Sequence, residues 1–473
     1  MARKRALLLA SAGLAIAGFA GSPGRGFAAW QPCRSRGLGV ARAGLRMDAA
    51  AEDLRRVGAV ASFVALDHWS RPLKKLIPLP HSVSAMMLLS GWLALLSFTR
   101  PKTSKAVVHW LEPGHNLLVG WGTCFFIPAL MGLPVAVAAN LGIFTTAAVV
   151  KLVFLILLSF LGSLWMTAFA AGLLERKLGR GPSAAASPTS PGKGRRGGLV
   201  AFYAAVMFGC FLLRPFGSLA WRSLFEAIYM ACAVLGGFVI GQELPHPWPL
   251  RVHPMITSVA LSYLACFLWG RTTGAGFLKT LRFAIGPEGA GGLFLLPFLQ
   301  PLLISLAIPI YNRRSELKAN LSVIMLSTAF GAFFNLFFTA VLAGPLLKLP
   351  TFLAASALPR CVTAALAIDI THTLQASGLA ADVTFAVALV QVMGLLGASQ
   401  AMNIWGFCGF KSPMQRGLSM GATCSGIGTV ALARTDPGAF GYSVLAFAFC
   451  GAWSTLFVAV PFLRRALISI VLA

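Results

Sequence analysis

The chain has 473 residues, of which 57% are hydrophobic and only 11% charged, and its formal net charge is +26. A water-soluble protein carries about a quarter charged residues, so this composition cannot cover the surface of soluble domains and points to a lipid bilayer. The basic excess does not indicate a nucleic-acid partner: no Lys/Arg stripe interleaved with aromatics lies outside the apolar runs.

Residues 1–47 read as a targeting leader. Arg3, Lys4 and Arg5 precede an apolar run from Ala6 to Ala20, the arrangement of a signal peptide. A stretch with Arg25, Arg34, Arg36, Arg42 and Arg46 follows, without an acid until Asp48, which is the composition of a transit peptide. A signal peptide followed by a transit peptide, with Phe27 between them, resembles the two-part leader of proteins sent into plastids bounded by extra membranes; the alternatives are a plain secretory signal and a mitochondrial presequence.

The rest of the chain divides into a hydrophobic block over 57–174, a linker over 175–198 and a second block over 199–473. The linker is rich in Gly, Pro and Ser and carries Arg176, Lys177, Arg180, Lys193, Arg195 and Arg196, a composition that buries no apolar area. Lys and Arg concentrated there, in the leader and in short loops, are what orients membrane helices. Apolar runs of about 20 residues each span a bilayer as helix, and the two blocks hold roughly four and seven to nine of them, about twelve in all. The expected fold is therefore an all-α polytopic transmembrane helix bundle; ten-residue alternating strands, the mark of a membrane β-barrel, are not visible.

Several spans should be broken. Pro128 and Pro134 interrupt Phe125–Val137, Pro297, Pro301 and Pro309 fall in one apolar stretch, and Gly417–Thr429 is glycine-rich. Proline removes a backbone donor and glycine weakens a helix. In a bilayer, unwound backbone survives only where protein or a water-filled cavity satisfies it, and transporters use such segments as substrate sites. The nine Cys and seven His show no metal-ligand spacing; Cys210, Cys232, Cys266 and Cys450 lie in apolar runs, where a thiol behaves as a small hydrophobe. No metal and no cofactor is expected.

Particular residues then carry a resemblance. Leu358-Pro359-Arg360-Cys361-Val362-Thr363 resembles the Leu-Pro-Lys/Arg-Ser/Cys-Val/Ile-Thr signature of the LrgB/CidB membrane family, and the segment from Arg416-Gly417-Leu418 to Gly426-Ile427-Gly428-Thr429 resembles its second signature. Leu306–Tyr311 and Pro437–Phe440 are similar to further segments of that family. In the first block, Leu79–Val83 and Phe125-Phe126-Ile127-Pro128 resemble LrgA/CidA. A leader followed by both halves in one chain is the pattern of the plant-type plastidal glycolate/glycerate translocators. Two departures stand out: relatives have a His where this chain has Ser425, and the plant-type members have a small neutral residue at the position of Asp369.

The resemblance implies a secondary transporter that exchanges small 2-hydroxy monocarboxylates, glycolate for glycerate, across the plastid inner envelope. The alternatives are a carrier for pyruvate or another monocarboxylate, and a pore-forming or regulatory protein of the LrgAB type. An enzyme is not expected: Cys424-Ser425-Gly426 lacks the flanking glycines of a nucleophile turn, having Thr423 and Ile427 there. The expected partners are the organic anion and the bilayer, with a homo-oligomer compatible with the sequence.

An anion at mid-membrane needs charge compensation, which free N–H groups at a helix start supply. Pro359 suits the first position of a helix, with Leu358 as a cap that has no side-chain oxygen. Arg360 would then hold a carboxylate through two hydrogen bonds, the alternative being an orientation anchor that reaches the interface, and Thr363, on the same face, would take the substrate hydroxyl. Cys361 belongs to the same signature. Ser425, Gly428 and Thr429 form the opposing wall. Asp369 is a candidate for proton coupling, about 13 Å further along a continuous helix, or a polar group facing the next loop with His372. Lys151, inside an apolar run, is an orientation anchor or a contact between the halves.

Protein recovered from the organelle should lack the segment before about Met47. N-terminal sequencing reads this directly, and an intact Met1 would rule out the leader.

Overall fold

The computed structural model describes residues 39–72, 81–178, 197–216, 219–244 and 253–473. The leader before residue 39 and the linker over 179–196 lie outside them. Among the described residues the regular elements are helices. The first block contributes α1 (Gly39–Ser70), which begins within the segment assigned to the leader, then α2 (His81–Thr99), α3 (Pro101–Trp121), α4 (Ile127–Met131), α5 (Leu133–Ala139) and α6 (Thr146–Leu178). The second block opens with α7 (Gly197–Leu213), α8 (Leu219–Glu243), α9 (Pro254–Thr273) and α10 (Phe277–Ile285). There follow α11 (Leu296–Ser305), α12 (Ala307–Asn312), α13 (Arg314–Ala319), α14 (Leu321–Val341), α15 (Thr351–Ala357) and α16 (Ala364–Ala376). Last come α17 (Val383–Cys408), α18 (Pro413–Thr435), α19 (Pro437–Ala459) and α20 (Pro461–Leu472).

The chain is a polytopic membrane protein. Eight helical runs among the described residues are long and apolar enough to cross a bilayer. About twelve spans are expected from the sequence; beyond these eight, α7 is apolar but shorter. The bundle is apolar outside and partly polar inside. On α6, Val150, Phe154, Leu157, Leu161 and Trp165 are exposed, whereas Ser159, Ser163 and Thr167 are buried. An outward apolar surface of this kind has lipid as its solvent, and the buried hydroxyls, spaced four apart, share one inward face.

The expected breaks are all present. After α3 the chain tightens into a 3₁₀ turn, Gly122–Phe126, before the two short helices that begin at Ile127-Pro128 and Leu133-Pro134. A wide π-type turn, Gly291–Leu295, precedes α11, and α11 and α12 part at Leu306. The largest break is inside α18, where Ser425 has φ 53° and ψ −147°, a region that non-glycine residues occupy at a cost of about 1–3 kcal/mol.

That break reverses the chain. Arg416 Nε lies 2.6 Å from Asp436 Oδ2, although a straight helix would separate residues twenty apart by about 30 Å. A Cβ placed on Gly428 would come within 2.5 Å of Cys424 Cβ, whereas residues four apart on a continuous helix keep their Cβ atoms about 5–6 Å apart. The element is a re-entrant hairpin with arms 413–424 and 426–435 and its tip at Ser425. Ser412 caps the first arm by accepting from Met414 N, with Pro413 at the first position.

A second hairpin precedes it. Asp382 N donates to Ser356 Oγ and Gln375 Nε2 donates to Ala381 O, each at 2.8 Å, so the ends of α15 and α16 meet at 381–382 and the chain between them runs out and back around a tip at 358–363. This hairpin leads into the start of α17, and the α18 hairpin leaves from its end. Since α17 is a straight run of 26 residues, about 39 Å long, the two hairpins enter the bundle from opposite faces.

The α18 hairpin packs tightly on α19: a Cβ at Gly417 would approach Tyr442 Cβ to 2.7 Å. Gly417→Ala should therefore cost about 1–3 kcal/mol by overpacking, seen as a lower thermal midpoint of the detergent-solubilised protein. An unchanged midpoint would mean that this arm does not lie against α19.

Candidate functional site

Both hairpin tips face one small cavity in the bundle interior. Its volume is about 70 Å³, and it is lined by Thr363, Ala364 and Ala365 from the first tip and by Ser425, Gly426 and Ile427 from the second. Ser82 and Val83 from the first turn of α2, Phe126, Gln300 and Leu303 of α11, Gln391 of α17 and Phe447 of α19 also line it. The space holds a few water molecules and is of the order of a two- or three-carbon acid. Both hydrophobic blocks contribute to it.

The electrostatics come from backbone and neutral side chains, since no lining residue is charged. Three helical segments start here: α2, α16 and the second arm of α18. First-turn amides have no partner within their own helix, and the segment starts carry the positive end of the helix dipole. On α16, Thr363 is the cap and its Oγ1 accepts from Leu366 N at 3.3 Å; Ala364 and Ala365 are the first-turn amides at the cavity wall. At the other tip, the carbonyl of Ala422 ending the first arm accepts from Asn335 Nδ2 at 2.8 Å. Buried side-chain atoms with no protein partner cluster at the same place: Ser82 Oγ, Gln300 Oε1 and Gln391 Oε1. Such atoms are costly unless something binds them.

The residues singled out from the sequence divide in three. Thr363 and Ser425 line the cavity. Gly428 and Thr429 lie behind the wall on the second arm, where Thr429 Oγ1 bonds Ser443 Oγ and Ser425 O, both at 2.8 Å, and buried Cys361 does not line the cavity either. Arg360 and Asp369 lie elsewhere. The helix expected to begin at Pro359 begins at Ala364, with Thr363 and not Leu358 as its cap. Arg360 and Thr363 therefore do not share a helix face, and the guanidinium turns away from the cavity.

Arg360 is 1% exposed and holds the two blocks together. It donates five hydrogen bonds: to Ser159 Oγ and O, Ser163 Oγ, Asn335 O and Thr339 Oγ1. Three of these acceptors are on α6 and two on α14. All are neutral, and no carboxylate is among them. Asp369 stands on the exposed face of α16, and His372, one turn on, is exposed too. Lys151 reaches Lys348 O at 3.4 Å, a contact between the halves.

Sequence reasoning missed Gln300 and Gln391. The signal was present, since each is a lone amide within a long apolar run, and polar side chains at membrane depth are functional candidates by default. The cavity lining also holds no His or carboxylate that could act as a base for Ser425. Among the described residues no cluster of three His, Cys, Asp or Glu could hold a metal.

The comparisons with known proteins fall on this architecture. Residues 234–463, which include both hairpins, match the LrgB-like family. This segment is an LrgB-like domain. The chain is similar to plastidal glycolate/glycerate translocator 1 of Arabidopsis thaliana, with 25% identity over 401 residues, 84% of this chain and 76% of that protein. The chain is also similar to the holin-like protein CidB of Staphylococcus aureus, 28% identical over 158 residues, 33% of this chain and 66% of CidB. CidB of Staphylococcus epidermidis is 28% identical over 149 residues, 31% of this chain and 61% of its own. These relatives of the LrgB-like domain are named as a translocator and as holin-like proteins, not as enzymes. No solved structure matches the chain significantly.

Replacing Arg360 by Ala leaves several buried acceptors on α6 and α14 unpaired, each costing about 1–3 kcal/mol. The variant should lose at least about 3 kcal/mol of stability, measured as a drop in thermal midpoint and in the amount of inserted protein. A normal midpoint together with lost transport would instead return Arg360 to the substrate site.

Proposed function

We propose that the protein is a secondary transporter of small 2-hydroxy monocarboxylates, with glycolate and glycerate as the exchanged pair, and that it works in the plastid inner envelope. The observation that carries this reading is the meeting of two opposed hairpin tips at a small neutral cavity. The first-turn amides of α16 and of the second α18 arm are the donors for a carboxylate. Gln391 and Gln300 offer carbonyl oxygens to a substrate hydroxyl, and Ser82 offers a hydroxyl. A cavity this small favours two- and three-carbon acids over larger ones. The substrate pair and the plastid location rest on the long match to the Arabidopsis translocator and on the composition of the leader.

Hairpins entering from opposite faces suit alternating access, because each can uncover the cavity to one side. Arg360 belongs to the first tip and ties it to α6 and α14, so in this scheme that tip moves together with those helices. The holin-like relatives make a passive pore the second reading. The two differ in kinetics.

In liposomes, uptake of labelled glycolate should saturate and should accelerate when the lumen is preloaded with glycerate. Gln391→Leu removes one polar partner, worth about 1 kcal/mol, and should raise the half-saturation concentration several-fold at an unchanged thermal midpoint. Uptake that neither saturates nor responds to internal substrate would establish the pore.

A further inference from the structure

A second, larger cavity of about 320 Å³ lies beside the first, lined by Glu112, His115, Asn116, Gly120, Asn312 and Arg434 among others. The same chain segments build both. The central cavity takes Phe126, Leu303, Ile427 and Phe447; the larger one takes Gly120, Ile308, Ala433 and Phe440 from the continuation of those segments. The offsets of five to seven residues correspond to about 7–10 Å along a helix. The larger cavity thus lies toward the face from which the α18 hairpin enters, and Asn116 and Asn312 at its wall are exposed.

Between the two cavities the segments close on one another. A Cβ placed on Gly122 would stand 2.8 Å from Val430 Cγ1 and 3.1 Å from Leu302 Cδ2, so only glycine admits this approach. Leu302 is 0% and Val430 2% exposed, which makes the contact dry and apolar. Two polar contacts flank it: Arg434 donates to Gly120 O, and His115 Nδ1 bonds Ser305 Oγ at 3.1 Å. All of them join the second arm of α18, or α11, to α3 and the turn after it.

We propose that the larger cavity is the aqueous port through which a small organic anion reaches the central cavity, and that Gly122, Leu302 and Val430 form its closed gate. The proposal rests on the transport reading for the identity of what passes. Opening requires only that the second arm of α18 move away from α3, which separates Val430 from Gly122 and breaks the Arg434–Gly120 hydrogen bond together. The apolar contact blocks ions without a charged barrier, because a constriction lined by Leu and Val excludes water.

Two measurements on the full-length protein test it. In the first, a membrane-impermeant maleimide is applied to Asn116→Cys and Val430→Cys in substrate-free protein, above the wild-type background. Asn116→Cys should react readily and Val430→Cys at least about tenfold more slowly; an unreactive Asn116→Cys, or equal rates, would overturn the port and gate. In the second, Leu302→Ala combined with Val430→Ala should raise glycolate uptake into vesicles without internal substrate by about tenfold, whereas Val458→Ala, equally buried but away from both cavities, should not. A double variant with a wild-type thermal midpoint and no added leak would overturn the gate. Absence of counterflow in the wild type would defeat the transport reading separately, since the labelling measures the gate without any transport.

Discussion

A helix that stops inside a bilayer leaves amides and carbonyls that neither lipid nor water can satisfy, and the rest of this fold is arranged around that constraint. Helices stop in the interior at several points, and at two of them a specific side chain meets the stop. Asn335 takes the carbonyl of Ala422 where the first arm of α18 ends. Thr363 takes the amide of Leu366 where α16 starts. The amides that remain face a cavity bounded by Ser82, Gln300 and Gln391. A site for a polar ligand is thus the residue of an incomplete satisfaction of the backbone.

The overall class was legible because it depends on composition and length, which no packing detail overrides. The broken segments were legible too, since Pro128, Pro297 and the glycines of 417–428 act locally on the backbone. Topology was not. Nothing in the run Gly417–Thr429 states that Ser425 adopts a positive φ and turns the chain back, so a re-entrant hairpin reads as a span. The same local ambiguity misplaced the start of α16. Pro359 is a good first residue, but the helix begins where Thr363 can cap it, and the difference of a few residues swings Arg360 from the cavity to α6.

Arg360 also shows why a motif and a site are different things. A cation in a signature invites a partner of opposite charge, yet here the guanidinium is met by hydroxyls and carbonyls alone. Its partners could be anticipated only by noticing that Ser159 and Ser163 share one face of α6 in a largely apolar helix. The amides at the cavity were obscured for the opposite reason. Gln300 and Gln391 belong to none of the segments that carry the resemblance, and their importance depends on which helices happen to pack together.

The clamp on Arg360 has a consequence for how the chain is assembled. Its acceptors on α6 come from one hydrophobic block and the arginine from the other, so neither block can complete its own interior. Were they separate proteins, every molecule would need a diffusional search in the membrane before the arginine could find its hydrogen-bond acceptors. Joined in one chain, the encounter is intramolecular, and its effective concentration is set by the tether instead of by expression level. The covalent fusion of the two halves thereby makes their stoichiometry fixed at one to one.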